Sequence, residues 1–157
     1  MLNDQAQLIQ VYSRAFLRTQ EPLFKRITEK TVNYVLSKLK HREGGFYSAE
    51  NADSLSPTSN EIEEGAFYTW EKSQIDKILG VDSPAYCQFY GVKDGGNVPH
   101  NVVFKNVNIL SLRMTDGLCE TFLEECNQKL YRERETRCKP FLDQKIITSW
   151  NGISFLI

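Results

Sequence analysis

The chain has 157 residues, with 19 Lys plus Arg against 20 Asp plus Glu, and so a formal net charge of −1 with both histidines neutral. That balance excludes a protein built to seek polyanions. With 41% hydrophobic and 25% charged residues, the composition is that of an ordinary globular protein, and a chain of this length can bury about 68–70% of its unfolded surface.

No run approaches the ~18 apolar residues of a membrane span. The first twenty residues carry Asp4 but no basic head, apolar stretch or small-residue cleavage site, so they do not read as a secretory signal. Cys87, Cys119, Cys126 and Cys138 form no CxxC pair. Cys119 and Cys126 lie in a predicted helix about 10.5 Å apart along its axis, too far for a bridge. No N-x-S/T acceptor occurs. These features favour the cytoplasm or another reducing intracellular compartment, with free and mostly packed thiols. The cysteine spacing gives no zinc or redox pair, and the sequence as a whole leads to the expectation of no metal, no cofactor, no membrane and no nucleic acid.

In chain order, residues 4–19 read as a helix. Leu2, Leu8, Ile9, Tyr12, Ala15 and Phe16 share one arc at 100° per residue, and Gln5 is an anomaly in its middle. A second helix starts at Pro22, turns Leu23, Phe24, Ile27, Thr31, Tyr34 and Val35 inward, and stops at Gly44-Gly45. The short link predicts an antiparallel α-hairpin. Residues 45–50 and 65–70 are short, aromatic and turn-bounded; they read as two strands able to pair, with a polar loop between them. Short helices are expected over 71–79 and 83–90, an extended segment over 108–112, and a helix from Asp116 to about Glu135 with Cys119, Phe122, Leu123, Cys126 and Leu130 inward. A last helix begins near IITSWNG and ends in Phe155-Leu156-Ile157, an apolar ending that predicts a fragment of something longer.

Three groups of residues could carry chemistry. Between Glu43 and Glu71 there are seven acids (Glu43, Glu50, Asp53, Glu61, Glu63, Glu64 and Glu71) and no Lys or Arg. Carboxylates beside aromatic rings such as Tyr68 and Trp70 suit a sugar-processing cleft, where one acid protonates a leaving oxygen, another attacks or stabilises, and rings stack on pyranose faces. The alternative is a solvated acidic loop. Asp4 and Gln5 either line a cavity or cap and brace the first turn. Asp143, Gln144, Lys145, Trp150 and Asn151 gather an acid, a base, two amides and an indole near a helix start, against the alternative of an ion pair plus a core tryptophan. His41 falls at a helix end and His100 in a loop, and neither suggests a metal ligand. Arg132, Arg134, Arg137 and Lys139 alternate with Glu133 and Glu135 and read as a salt-bridged helix end.

The blocks MLNDQAQL, GGFYSAENADS, EEGAFYTW, the Tyr90–Asn97 glycine pattern and LDQKIITSWNG occur in an order that resembles the spermatogenesis-associated protein 20 family. The resemblance runs over nearly the whole chain and is looser through 76–105 and 111–135. It implies a mainly α fold: residues 1–157 as the N-terminal portion of an (α/α) toroid like those of six-hairpin glycosidases and N-acylglucosamine 2-epimerases, with a small inserted β-hairpin. The family's thioredoxin-like domain and remaining hairpins lie outside this stretch. It also implies that Asp4, Gln5, Glu50, Asp53, Glu64, Asp143, Lys145, Trp150 and Asn151 occupy motif positions. Glu50, Asp53 and Asp143 would be catalytic candidates, and Asp4, Gln5, Glu64, Tyr68, Trp70, Lys145, Trp150 and Asn151 candidates for contacting a carbohydrate ligand. Asn3, Asn51 and Gln144 depart from the family pattern, which usually has an aromatic at the first position and acids at the other two. The functional expectation is a carbohydrate-related toroid; the alternative is a non-catalytic scaffold or regulatory body, or a truncated product without independent function, with a protein partner unspecified.

Overall fold

The computed structural model describes residues 1–98, 104–114, 116–117 and 119–154. It is mainly helical, with two small antiparallel two-stranded sheets. The chain forms two compact units. One is made of Met1–Asn51 together with the segment from Phe141 onward, the other of Ala52–Pro140.

The first unit starts with α1 (Leu2–Thr19) and α2 (Pro22–Tyr34), which continues into a π-helical turn over Val35–Leu39. Gln20 ends α1 in the left-handed region, and Pro22 opens α2 two residues later. The helices run antiparallel as expected: Leu2, Ala6 and Ile9 from the start of α1 share a cavity wall with Val32, Val35 and Leu36 from the far end of α2. The expected inward arcs are only partly used. Leu2, Ala6 and Ile9 are buried, whereas Leu8 and Leu23 are exposed and no residue of α2 is fully covered. The core is Leu2, Ile9, Val35 and Leu39, with Phe46, Leu142 and Trp150 against it.

Strand β1 (Ala49–Glu50) pairs with β4 (Leu142–Asp143), close to α6 (Thr148–Ser154). The predicted pairing of 45–50 with 65–70 does not form. Phe46 instead bridges Lys40, and Trp70 bridges Asn108. The reason is local: Gly65 sits at φ +72° and opens a turn whose amides at Tyr68 and Thr69 bond back to its own carbonyl, so 65–69 cannot extend.

In the second unit the stretch read as a polar loop contains the hairpin β2 (Asp53–Leu55) and β3 (Ile62–Glu64), turned through Asn60 at positive φ. Then come α3 (Lys72–Leu79), a 3-10 turn (Gly80–Asp82), α4 (Ser83–Tyr90) and α5 (Glu120–Arg134). A reciprocal Glu71/Gln74 box starts α3, and Pro84 in the first turn and Gly91 at the end bound α4. Their apolar sides form one core of Trp70, Ile75, Leu79, Tyr86, Cys87, Val92, Leu123, Cys126 and Leu130. Asn108 is fully buried and satisfied. Its amide donates to the carbonyls of Trp70 and Lys93 and its oxygen accepts from Lys93 N–H, which fixes the expected 108–112 segment as a single bridge.

Candidate functional site

In the first unit the candidate residues cluster around β1 and β4. Ser48 is buried; its N–H and Oγ both donate to the Asp143 carbonyl, at 3.2 and 3.1 Å, while its own carbonyl accepts the first amide of α1 at 2.8 Å. Glu50 accepts a 2.6 Å hydrogen bond from the Tyr34 hydroxyl. Asp143 pairs with Lys145 Nζ at 2.5 Å and accepts from Lys145 N–H at 3.2 Å. These two bonds from Lys145, the ammonium first, hold the Asp143 carboxyl below the usual aspartate range.

The register sets where these acids point. Ala49 faces Asp143 and Glu50 faces Leu142. Cross-strand partners share a face and consecutive residues alternate, so Glu50 and Asp143 project from opposite faces of the ribbon. The expected pairing of these two carboxylates in one mechanism is therefore not what the ribbon provides.

Asn151, from the first turns of α6, is buried and reaches back 105 positions: its Oδ1 accepts from Phe46 N–H at 2.8 Å and its Nδ2 donates to Phe46 C=O at 3.0 Å. A Cβ on Gly45, at φ +78°, would stand 3.3 Å from that Oδ1, so the glycine lets the carboxamide approach. Trp150 packs on the core beside it. Asp4 pairs with the terminal amine at 3.3 Å and is half exposed, and Gln5 is half-buried with its N–H bonded to the Met1 carbonyl. The cavity between α1 and the end of α2, about 310 Å³, is lined by Leu2, Ala6, Ile9, Val32, Val35, Leu36 and Phe46; Gln5 is not among its lining.

In the second unit Asp53 and Glu64 stand directly opposite each other in the β2–β3 register, both exposed. They share a face, with Cβ atoms about 4.5–5.5 Å apart for such a pair. Ser54, between the strands' exposed positions, turns inward and accepts the Phe67 N–H at 2.8 Å. Tyr68 is 43% exposed, but Trp70 is only 2% exposed and carries the Arg137 guanidinium 3.9 Å from its ring centre. Trp70 is thus a core ring and presents no open face for stacking, which corrects its expected role.

Sequence reasoning missed the part played by the C-terminal end of α5. Arg137 donates to the carbonyls of Ala66, Phe67 and Thr69 at 3.2, 3.0 and 2.8 Å. Burial, with Arg134 nearby, pushes its guanidinium down to about 10, still protonated at neutral pH. Arg134 lies over Phe67, Tyr68 and Tyr131 at 5.6, 5.2 and 5.3 Å. Of the expected salt-bridged helix end, the described residues show Lys139 with Glu135 at 3.6 Å; Arg134 faces rings and Arg137 a ring and carbonyls. His100 lies outside the described residues. His41 meets the edge of Tyr47 and accepts from Glu43 N–H. All four cysteines are free, with Cys87 and Cys126 buried and Cys119 and Cys138 exposed, so half of the thiols, not most, are packed. Among the described residues no group of three or more His, Cys, Asp or Glu could hold a metal ion, and no helix is long and apolar enough to cross a membrane.

No family model matches the chain. Individual proteins do. Human spermatogenesis-associated protein 20 is 32% identical over 178 aligned residues, covering 98% of this chain. Its rat counterpart is 32% identical, and an uncharacterised protein of Caenorhabditis elegans 35% identical, over the same 98%. The chain spans 23–24% of the length of these relatives. The blocks that resembled this family in the sequence lie within a match that runs almost end to end, and the chain belongs to the spermatogenesis-associated protein 20 family.

Proposed function

We propose that this stretch forms part of a carbohydrate-binding (α/α) toroid, and that the β2–β3 hairpin is its sugar-facing element in the second unit. The observation that carries this is the Asp53–Glu64 pair. Like charges directly opposite in a hairpin oppose its folding, so their placement on one exposed face calls for a use. Two adjacent carboxylates accept hydrogen bonds from neighbouring hydroxyls of a pyranose, and Tyr68, four residues beyond Glu64, offers an exposed ring. The toroid that the family resemblance implies, like those of sugar enzymes, supports the reading by analogy.

Calorimetric titration of a full-length relative with a panel of neutral sugars tests it, beside variants equivalent to Asp53→Ala and Glu64→Ala. Saturable heat lost in both variants is the expected result; absence of heat with every sugar ends the reading.

A second reading, a non-catalytic scaffold, rests on a different observation: the motif residues of the first unit are engaged in holding it together, Glu50 with Tyr34 and Asn151 with Phe46. On that reading Glu50→Gln and Asn151→Ala lower the melting temperature of the full-length relative and leave the binding of any partner unchanged once stability is restored.

A further inference from the structure

Arg134 is the least explained cation of the second unit. Its guanidinium is covered by three aromatic rings, Phe67, Tyr68 and Tyr131, at 5.2–5.6 Å. Aromatic faces neutralise part of a cation's field but accept no strong hydrogen bond. Accordingly its Nε is the one buried side-chain nitrogen or oxygen among the described residues with no hydrogen-bond partner. Buried donors are otherwise almost always satisfied, and an orphan on a charged group points to a missing water or ion. Arg137 supplies a second positive charge close by, because its guanidinium lies over Trp70 while Arg134 lies over Phe67 and Tyr68 of the same turn. Glu133 is the acid whose charge reaches Arg137, and it is exposed on α5; Glu135 is taken by Lys139.

A guanidinium walled by rings, with one N–H unmet and a second guanidinium nearby, offers positive charge and a single uncommitted donor to a planar or tetrahedral oxyanion. We propose that Arg134 binds an oxyanion, a carboxylate or phosphate group of a small ligand, through its Nε edge. Arg137, whose Nη1 serves three carbonyls and whose Nη2 serves Gln74 Oε1, contributes field and holds the turn that carries the rings. The site needs neither Asp53 nor Glu64 and shares only the Tyr68 ring with the sugar reading.

Because the orphan is a single N–H, the test follows that atom. In the 157-residue chain labelled with nitrogen-15, the Arg134 Nε–H resonance is titrated with inorganic phosphate, and separately with acetate, at constant ionic strength set by chloride. A saturable downfield shift with either anion is expected, and the one that binds more tightly identifies the class. Arg134→Gln should weaken that anion's affinity, read by calorimetry, about tenfold or more. Arg132→Gln, which removes the same charge from an exposed position on the same helix, should leave it within about twofold. Far-ultraviolet circular dichroism identifies variants that remain folded, and Arg134→Lys, which keeps the charge without the fork, should behave like Arg134→Gln. No saturable shift with either anion, or equal loss in Arg132→Gln, overturns the proposal and leaves a water as the partner of Nε.

Discussion

Asn151 satisfies both backbone groups of Phe46 across 105 positions of sequence, one bond accepted and one donated. The side chain is buried, so removing it strands an N–H and a C=O where water enters poorly. Asn151→Ala should destabilise the first unit by roughly 2–4 kcal/mol, measured as a shift in urea midpoint at unchanged slope. Exposed Asn33→Ala should stay within about 0.5 kcal/mol.

Arg137 uses two nitrogens where lysine has one: Nη1 donates to the carbonyls of Ala66, Phe67 and Thr69, Nη2 donates to Gln74 Oε1 at 3.4 Å, and the planar group lies on the Trp70 ring. Arg137→Lys should cost about 2 kcal/mol. In a Trp150→Phe background it should also shift Trp70 emission to the red, as water reaches an indole that is now 2% exposed. Unchanged emission and midpoint would mean that the fork is dispensable.

The opposed acids of the hairpin give a prediction of the opposite sign. Glu64→Gln removes a like charge facing Asp53 and should stabilise β2–β3 by a few tenths to about 1 kcal/mol. Slower amide exchange at Leu55 and Ile62 would register it. A loss of stability would show that the two carboxylates already share a favourable partner.

Acid should loosen α3 before it affects α5. Asp76 is held below the usual aspartate range, first by Lys72 Nζ at 2.7 Å and then by Ser83 Oγ. A carboxyl whose folded pKa is depressed contributes stability that is present above its unfolded value, about 3.9, and is lost as pH falls through the folded one. The urea midpoint should therefore fall below pH 4, and Asp76→Asn should flatten that fall while lowering the neutral-pH midpoint. An unaltered acid limb in the variant would assign the effect elsewhere.

Thiol titration separates the cysteines. Cys119 and Cys138 are exposed, while Cys87 and Cys126 are buried and burial pushes the Cys126 thiol up. An aromatic disulfide reagent should find two fast thiols in the native chain and four in denaturant.

The helices were legible because 3.6-residue periodicity and terminal signals such as Pro22, Pro84 and Gly91 are local. Even there the arcs overstated burial: Leu8 and Leu23 fit the apolar stripe, yet they stay 42% and 44% exposed. The pairing of Ala49–Glu50 with Leu142–Asp143 carried no short-range sign, since two-residue strands have almost no pattern and their partner lies about ninety positions away. The hairpin at 53–64 gave no alternating pattern, since its second strand is exposed at every position and Ser, Pro and Asn fill the turn. Among the candidate residues, Asp53 and Glu64 emerge as neighbours, Asp143 and Lys145 as an ion pair, and Glu50 and Asp143 as near in sequence register but turned apart. What composition could not reveal was that the arginines at the end of α5 serve rings and carbonyls, because Phe67, Tyr68 and Trp70 reach them only through the tertiary turn.

The split of the first unit between the two ends of the chain sets an order of assembly during synthesis. Residues 52–140 are continuous and can gather their core as soon as α5 leaves the ribosome. The α1–α2 hairpin, made before it, must wait for β4 and Asn151 to supply the partners of the Ser48 N–H and hydroxyl and of the Phe46 backbone. Ribosome release halted just before residue 141 should therefore yield a protease-resistant middle and a sensitive beginning.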